Sequence, residues 1–297
     1  MTSPATPARP VVPEGFKPPA PSLHTRVLPG FKSSLTLTLT YLSLIVLIPL
    51  AALVARPWEH GIDGFIFTLT DPRVIASLRL SFSMAAAAAL LNLFVGLIIA
   101  WVLTRYTFPG RRLLDAFVDL PFALPTAVAG IALCSLYAPN GWIGALFAPF
   151  GIKIAYTPLG IFTALVFVGL PFVVRSVQPV LAEFDAEVEE AALTLGASPI
   201  QTAIRVILPS LGPALLSGFS LALARAVGEY GSVIFIAGNM PYVSEITPLL
   251  IVIKLQEFDY AGAASVALIM LLLSFGVLIV MNGLQLWLSG RGQGAAK

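Results

Sequence analysis

The chain has 297 residues, 58% of them hydrophobic and 11% charged, with a formal net charge of +2. Soluble domains carry about a quarter charged residues, and a mean hydropathy of +0.92 lies far outside that class, so the composition is that of an integral membrane protein. The low charge with no basic stripe argues against a nucleic-acid partner, and one cysteine (Cys134) with two histidines (His24, His60) leaves no disulfide framework and no Cys/His metal site.

Backbone polar groups find no water in hydrocarbon, so only helices and closed barrels span it. The apolar runs here are long and do not alternate, which selects an all-α fold. Residues 1–30 hold eight prolines and no apolar signal core, and read as a disordered cytoplasmic tail. Uncharged runs of about 20 residues then mark six spans, at 33–55, 80–104, 113–137, 159–175, 211–237 and 262–288. The third contains Asp115 and Asp119 and is expected to kink at Pro121 and Pro125. The fourth opens at Thr157-Pro158 and closes at Arg175. The fifth carries Arg225 and Glu229 within it. Between the fifth and sixth, Thr247-Pro248 opens a segment too short to cross, read as an interfacial or re-entrant helix with Thr247 as its cap. Six spans place both termini on one side. Eleven Lys and Arg fall on that side against four on the other (Arg56, Arg73, Lys153, Lys254), so the positive-inside rule makes the termini, and a last tail at 291–297, cytoplasmic.

The loop between the fourth and fifth spans is the longest polar stretch. Glu183, Asp185, Glu187, Glu189 and Glu190 stand in eight positions. Leu181, Phe184, Val188, Ala191 and Leu195 recur at helical spacing. Gly196 suits the residue that ends a helix, and Ser198-Pro199-Ile200-Gln201 reads as a capping box opening a second helix. Ile200, Ala203, Ile204 and Ile207 share a face of that helix, and Pro209 should stop it at Leu208. Two short helices at right angles on a tight turn make a knob suited to a groove on another protein; a plain linker between spans is the alternative.

Glu190-Ala191-Ala192, then Gly196, Val206 and Leu208-Pro209, resembles the EAA loop of permease subunits of bacterial ABC importers, with Val206 where that family has Ile. Residues 120–130 (Leu-Pro-Phe-Ala-Leu-Pro-Thr-Ala-Val-Ala-Gly) and 224–239 are similar to the sulfate/molybdate branch. Gly228-Glu229-Tyr230-Gly231-Ser232 is closer to its sulfate/thiosulfate members, and Tyr41–Leu50 to their T-type permeases. The likeness covers roughly 27–290. It implies a type I importer fold, MetI-like, over 31–290, in a bacterial inner membrane. It implies a coupling loop at 178–209 in which Glu190, Ala191, Ala192, Gly196, Ser198, Leu208 and Pro209 meet a cytoplasmic ATPase dimer. It implies a second permease subunit, in a heterodimer, and a periplasmic sulfate-binding protein, with ATP-Mg held by the ATPase and no cofactor on this chain. The substrate implied is sulfate or thiosulfate, with molybdate or tungstate as the alternative.

Ionisable residues inside spans are costly and face the bundle interior. Arg225 and Glu229, four apart, pair on one face, either as an ion pair locking the fifth span or as an anion path through Arg225 tuned by Glu229. Ser232 could donate a hydrogen bond to a passing oxyanion. Arg79 either snorkels to the outer interface or sits at the path mouth. Asp115 and Asp119 suit capping or gate contacts. No G-x-x-x-x-G-K-[ST] occurs, so the chain is not read as an ATPase or other enzyme. A self-sufficient secondary transporter or channel is the reading of a different class; its expected inverted repeats are not visible.

Overall fold

The computed structural model describes residues 31–294 and, among them, contains helices and loops without strands. The expected tail at 1–30 lies outside the described residues. The chain divides into two units, ending and beginning at Ala51 and Ala52.

The first unit is helical from Phe31. Two of its threonines bond back to their own helix: Thr36 and Thr38 donate to the carbonyls of Lys32 and Ser34, each at 2.8 Å, which satisfies those hydroxyls in hydrocarbon. The helix widens to a π-turn over Ser43–Leu47, with Ile48 N–H donating to Ser43 C=O. Pro49 follows. A proline ring clashes with the carbonyl four residues back, here Ile45, and the widened turn moves that carbonyl aside.

Among the described residues, four helices are long and apolar enough to cross a membrane: α1 (Phe31–Glu59), α3 (Pro72–Arg105), α7 (Pro158–Ala182) and the apolar part of α13 (Tyr260–Gly294). A fifth arises if Pro199–Ser210 (α9) and Gly212–Val227 (α10), bent by 62°, are counted together. Helix α2 (Gly61–Thr70) precedes α3, and Asp71 caps α3 by accepting from Arg73 N–H at 2.8 Å.

Two expected spans are not continuous helices. Residues 113–137 divide into α4 (Arg111–Val118), α5 (Leu120–Ala123) and α6 (Thr126–Tyr137). Leu124 is extended (φ −86°, ψ 135°) because Pro125 disfavours helix in the residue before it. Residues 211–237 divide as well. Helix α10 ends at Val227, 228–232 leave the helix, and α11 (Val233–Ile236) resumes it.

The core of the second unit is the packing of α3, α7 and α10. Ala85, Ala88 and Ala89 on α3 are fully buried against it, so their small side chains let the backbones approach. A Cβ on Gly218 of α10 would lie 2.9 Å from Val173 Cα of α7. Inside this packing sits Asn92 of α3, wholly buried, its Nδ2 donating to Val166 C=O of α7 at 3.0 Å while its Oδ1 has no partner.

Candidate functional site

Helix α7 does not run on into the polar loop. Asp185 breaks it and caps a new helix, α8 (Ala186–Thr194), by accepting from Glu187 N–H at 3.0 Å. The expected single face from Leu181 to Leu195 is therefore split: Leu181 is buried at the end of α7, and Leu195 is 88% exposed. Gly196 has φ +86°, the left-handed conformation glycine adopts without strain. Its N–H donates to Leu193 C=O at 2.9 Å and Ala197 N–H donates to Ala192 C=O at 3.1 Å, the paired bonds of a Schellman ending. Two residues on, Ser198 and Gln201 form a reciprocal capping box, with Ser198 N–H to Gln201 Oε1 at 2.9 Å and Gln201 N–H to Ser198 Oγ at 3.3 Å.

The second helix is not stopped at Leu208. It opens into a π-turn over Ala203–Ile207, with Leu208 N–H donating to Ala203 C=O, and continues through Pro209 to Ser210. The carbonyl that the Pro209 ring would strike belongs to Arg205, inside the widened turn. This is the device seen before Pro49.

The knob is anchored from beneath. Arg105, the last residue of α3, ion-pairs with Glu189 of α8 and lies 5.6 Å from the centre of the Trp101 ring. Ala192, Thr202 and Ile207 are buried, whereas Val188, Leu193, Leu195, Ile200 and Ile204 stand out to the surroundings. Isolated apolar side chains on a surface are ordinary, but five on two short rigid helices make a patch of the kind proteins use to bind one another.

A second constellation lies in the break after α10. Glu229, just past the helix end, has a side chain 2% exposed. It pairs with Arg225, and its Oε1 accepts from Ser232 N–H and Ser232 Oγ, each at 2.9 Å. Ser232 is wholly buried, so its hydroxyl is committed to Glu229 and not offered to an oxyanion. Arg225 keeps 35% of its side-chain exposure. The sequence break at Leu124-Pro125 comes to the same place: a Cβ on Gly231 would meet Thr126 Oγ1 at 2.2 Å, and one on Gly130 would meet the Ser232 carbonyl oxygen at 2.4 Å. The start of α6, just past the break at 124–125, and the unwound segment 228–232 are thus in close contact.

Arg79 is not part of this centre. It lies on the exposed side of α3, in a cavity it shares with Ser83 and Tyr242. Asp115 and Asp119 are gathered by Arg175 of α7.

Sequence reasoning misses a second pin, because charge counting treats Arg73 as a single loop charge. Its Nε and Nη2 donate to Glu245 Oε2 and Oε1 at 2.8 and 2.7 Å, and Glu245 is 2% exposed. Helix α12 (Thr247–Gln256) starts next to it. Thr247 does not cap α12; it is buried, taking Ser81 Oγ as acceptor for its N–H at 2.9 Å and facing Ser77. The signal available was Glu245 alone, an acid with no local partner in an apolar setting.

Residues 92–291 match the family described as binding-protein-dependent transport system inner membrane component. The chain is 49% identical to the sulfate transport system permease protein CysT of Salmonella typhimurium and to that of Escherichia coli, over 88% of this chain and 94% of each relative. It is 48% identical to the protein of that name from Synechocystis, over 84% and 87%. In structure it is similar to a bacterial ABC transporter that imports alginate (TM-score 0.73, 14% identity, 86% of this chain and 94% of that one). It is also similar to the MetNI methionine ABC transporter in an inward-facing conformation (TM-score 0.54, 18% identity, 72% and 95%).

Proposed function

Because the chain belongs to the family of binding-protein-dependent transport system inner membrane components, we propose that it is the permease subunit that carries sulfate, and thiosulfate with it, in an ATP-driven importer of the bacterial inner membrane. The observation that carries the substrate is the 49% identity, over nearly the whole chain, to relatives named as sulfate permeases. In this reading a periplasmic binding protein delivers the anion on the outer side. A second permease subunit completes the path, and an ATPase dimer binds the knob on the cytoplasmic side, where both termini also lie.

The chemistry on this chain is mechanical and electrostatic. Glu190, Ala191, Ala192, Gly196, Ser198, Leu208 and Pro209 build the knob, whose exposed leucines and isoleucines enter a groove of the ATPase. Closure of the ATPase dimer around ATP moves the knob, and α7 and α10, joined to its two ends through the short breaks at 183–185 and Leu211, carry the movement into the membrane. Arg225 supplies positive charge to the dianion's path. Glu229, held by Ser232, fixes the guanidinium and keeps the path from binding the anion so tightly that release fails. Arg79 extends the same sign of field to the outer mouth.

Uptake of radiolabelled sulfate in a strain deleted for this chain, with molybdate as competitor, tests the reading. We expect uptake restored by the chain and only weakly inhibited by molybdate. Loss of molybdate uptake with sulfate uptake intact in the deletion strain would assign the importer to molybdate.

A further inference from the structure

We propose that Arg175 is a positioning residue for transport, a clasp through which movement of the knob reaches the unwound segment at the charged centre. This rests on the importer reading above.

The clasp is built from two elements far apart in sequence. Arg175 Nε and Nη2 donate to Asp119 Oδ1 and Oδ2 at 2.8 and 2.6 Å, a bidentate fork. Its Nη1 donates to Asp115 Oδ1 at 2.8 Å and to Gln178 Oε1 at 2.5 Å, and its Nη2 also donates to the Asp115 carbonyl at 3.1 Å. Gln178 Nε2 donates back to Asp115 Oδ1 at 3.2 Å. One turn away, the rings of Phe172 and Phe122 meet edge to face, 5.1 Å between centres. Both α4 and α5 are therefore gripped by one stretch of α7.

What lies on either side gives the clasp its consequence. Toward the C-terminus, α7 ends at Ala182 and α8 begins at Ala186, so Arg175 is about two turns from the end of α7, next to the knob. Toward the other side, Asp119 adjoins α5, which ends at the Leu124-Pro125 break, and Thr126 then touches Gly231 beside Glu229 and Ser232. A displacement of the knob pulls on α7. The fork passes it to α5, and the extended residue at 124, whose N–H makes the last bond of α5 (to Leu120 C=O, 3.1 Å) before Pro125 breaks the helix, is where the chain can give.

Lysine keeps the charge of Arg175 but not the fork. The test uses the assembled importer in proteoliposomes with loaded binding protein. It measures sulfate transported per ATP hydrolysed for wild type, Arg175→Lys, Asp119→Asn and the pair together. Coupling residues of this kind change such ratios by about 2- to 30-fold, so we expect each single variant to assemble and hydrolyse ATP while its transport per ATP falls within that range. We expect the pair to fall no further than the worse single variant. A ratio that stays at the wild-type value, whether hydrolysis is normal or falls with the amount of assembled complex, overturns the clasp and leaves Arg175 a structural residue. Should wild type itself move no sulfate in this assay, the substrate reading fails first, and the ratio is taken with the anion it does carry.

Discussion

At the scale of single residues, the pair Arg225 and Glu229 poses the sharpest choice, between a lock and a path. Removing Arg225 alone leaves a carboxylate 2% exposed without its cation, a loss of up to about 3–5 kcal/mol for buried pairs, reduced here because Arg225 itself is partly open. Such a variant fails for either reason. The joint variant Arg225→Met with Glu229→Gln removes both charges, and glutamine keeps the oxygen that Ser232 donates to. We expect that variant to reach the membrane at wild-type levels yet transport sulfate at least about ten-fold more slowly, a barrier rise of about 1.4 kcal/mol. Quantified membrane protein beside initial uptake rates makes the comparison, and full uptake by the joint variant would mean that the pair only locks the helix. The pairing itself was legible from an i, i+4 spacing. The commitment of Ser232 to Glu229 was not, because it depends on the chain leaving the helix at 228, which no local spacing announces.

At the scale of elements, what was legible is what is local. The Gly196 ending and the Ser198–Gln201 box are written within six residues, and the structure forms both. The π-turns before Pro49 and Pro209 were not legible, since a proline in sequence reads as a stop and only the packing of the flanking helices makes continuing through it worthwhile. The same holds for the third span, where Pro125 breaks the helix outright and the Arg175 fork, 56 residues away in sequence, fixes the fragments. The local ending gives a clean prediction. A side chain at Gly196 meets no atom within 4 Å, so Gly196→Val introduces backbone strain alone, about 1–2 kcal/mol for a left-handed residue and more for a β-branched one. We expect ATPase association by co-purification to weaken in that variant while the binding protein captures sulfate as before; Gly196→Asn, which tolerates the conformation, should be close to wild type.

At the scale of the whole molecule, composition alone gave the membrane and the all-helical class, because hydrocarbon permits so few alternatives. Sidedness follows from charge counting and has a direct check. In a Cys134→Ser background, a cysteine at Lys153 should react with a membrane-impermeant maleimide added to intact spheroplasts. One at Leu195, 88% exposed on the knob, should react only after the membrane is opened. The opposite pattern, with Leu195 labelled from outside and Lys153 only after the membrane is opened, would reverse the orientation. What composition could not give is how the start of α3 is held to the chain before α12: Arg73 and Glu245 are 172 positions apart, and only the fold makes them neighbours.

Asn92 adds a dimension of time. Its amide is buried against Val166, 74 residues downstream. A ribosome adding about 5–20 residues per second needs about 4–15 s to cover that interval, and throughout it α3 already exists while its acceptor does not. The growing chain therefore holds a polar amide at mid-helix with nothing of its own to bond, until α7 arrives. Helix α3 thus gains the acceptor for its buried amide only when α7 has been made, which ties the packing of the two helices to the order of synthesis.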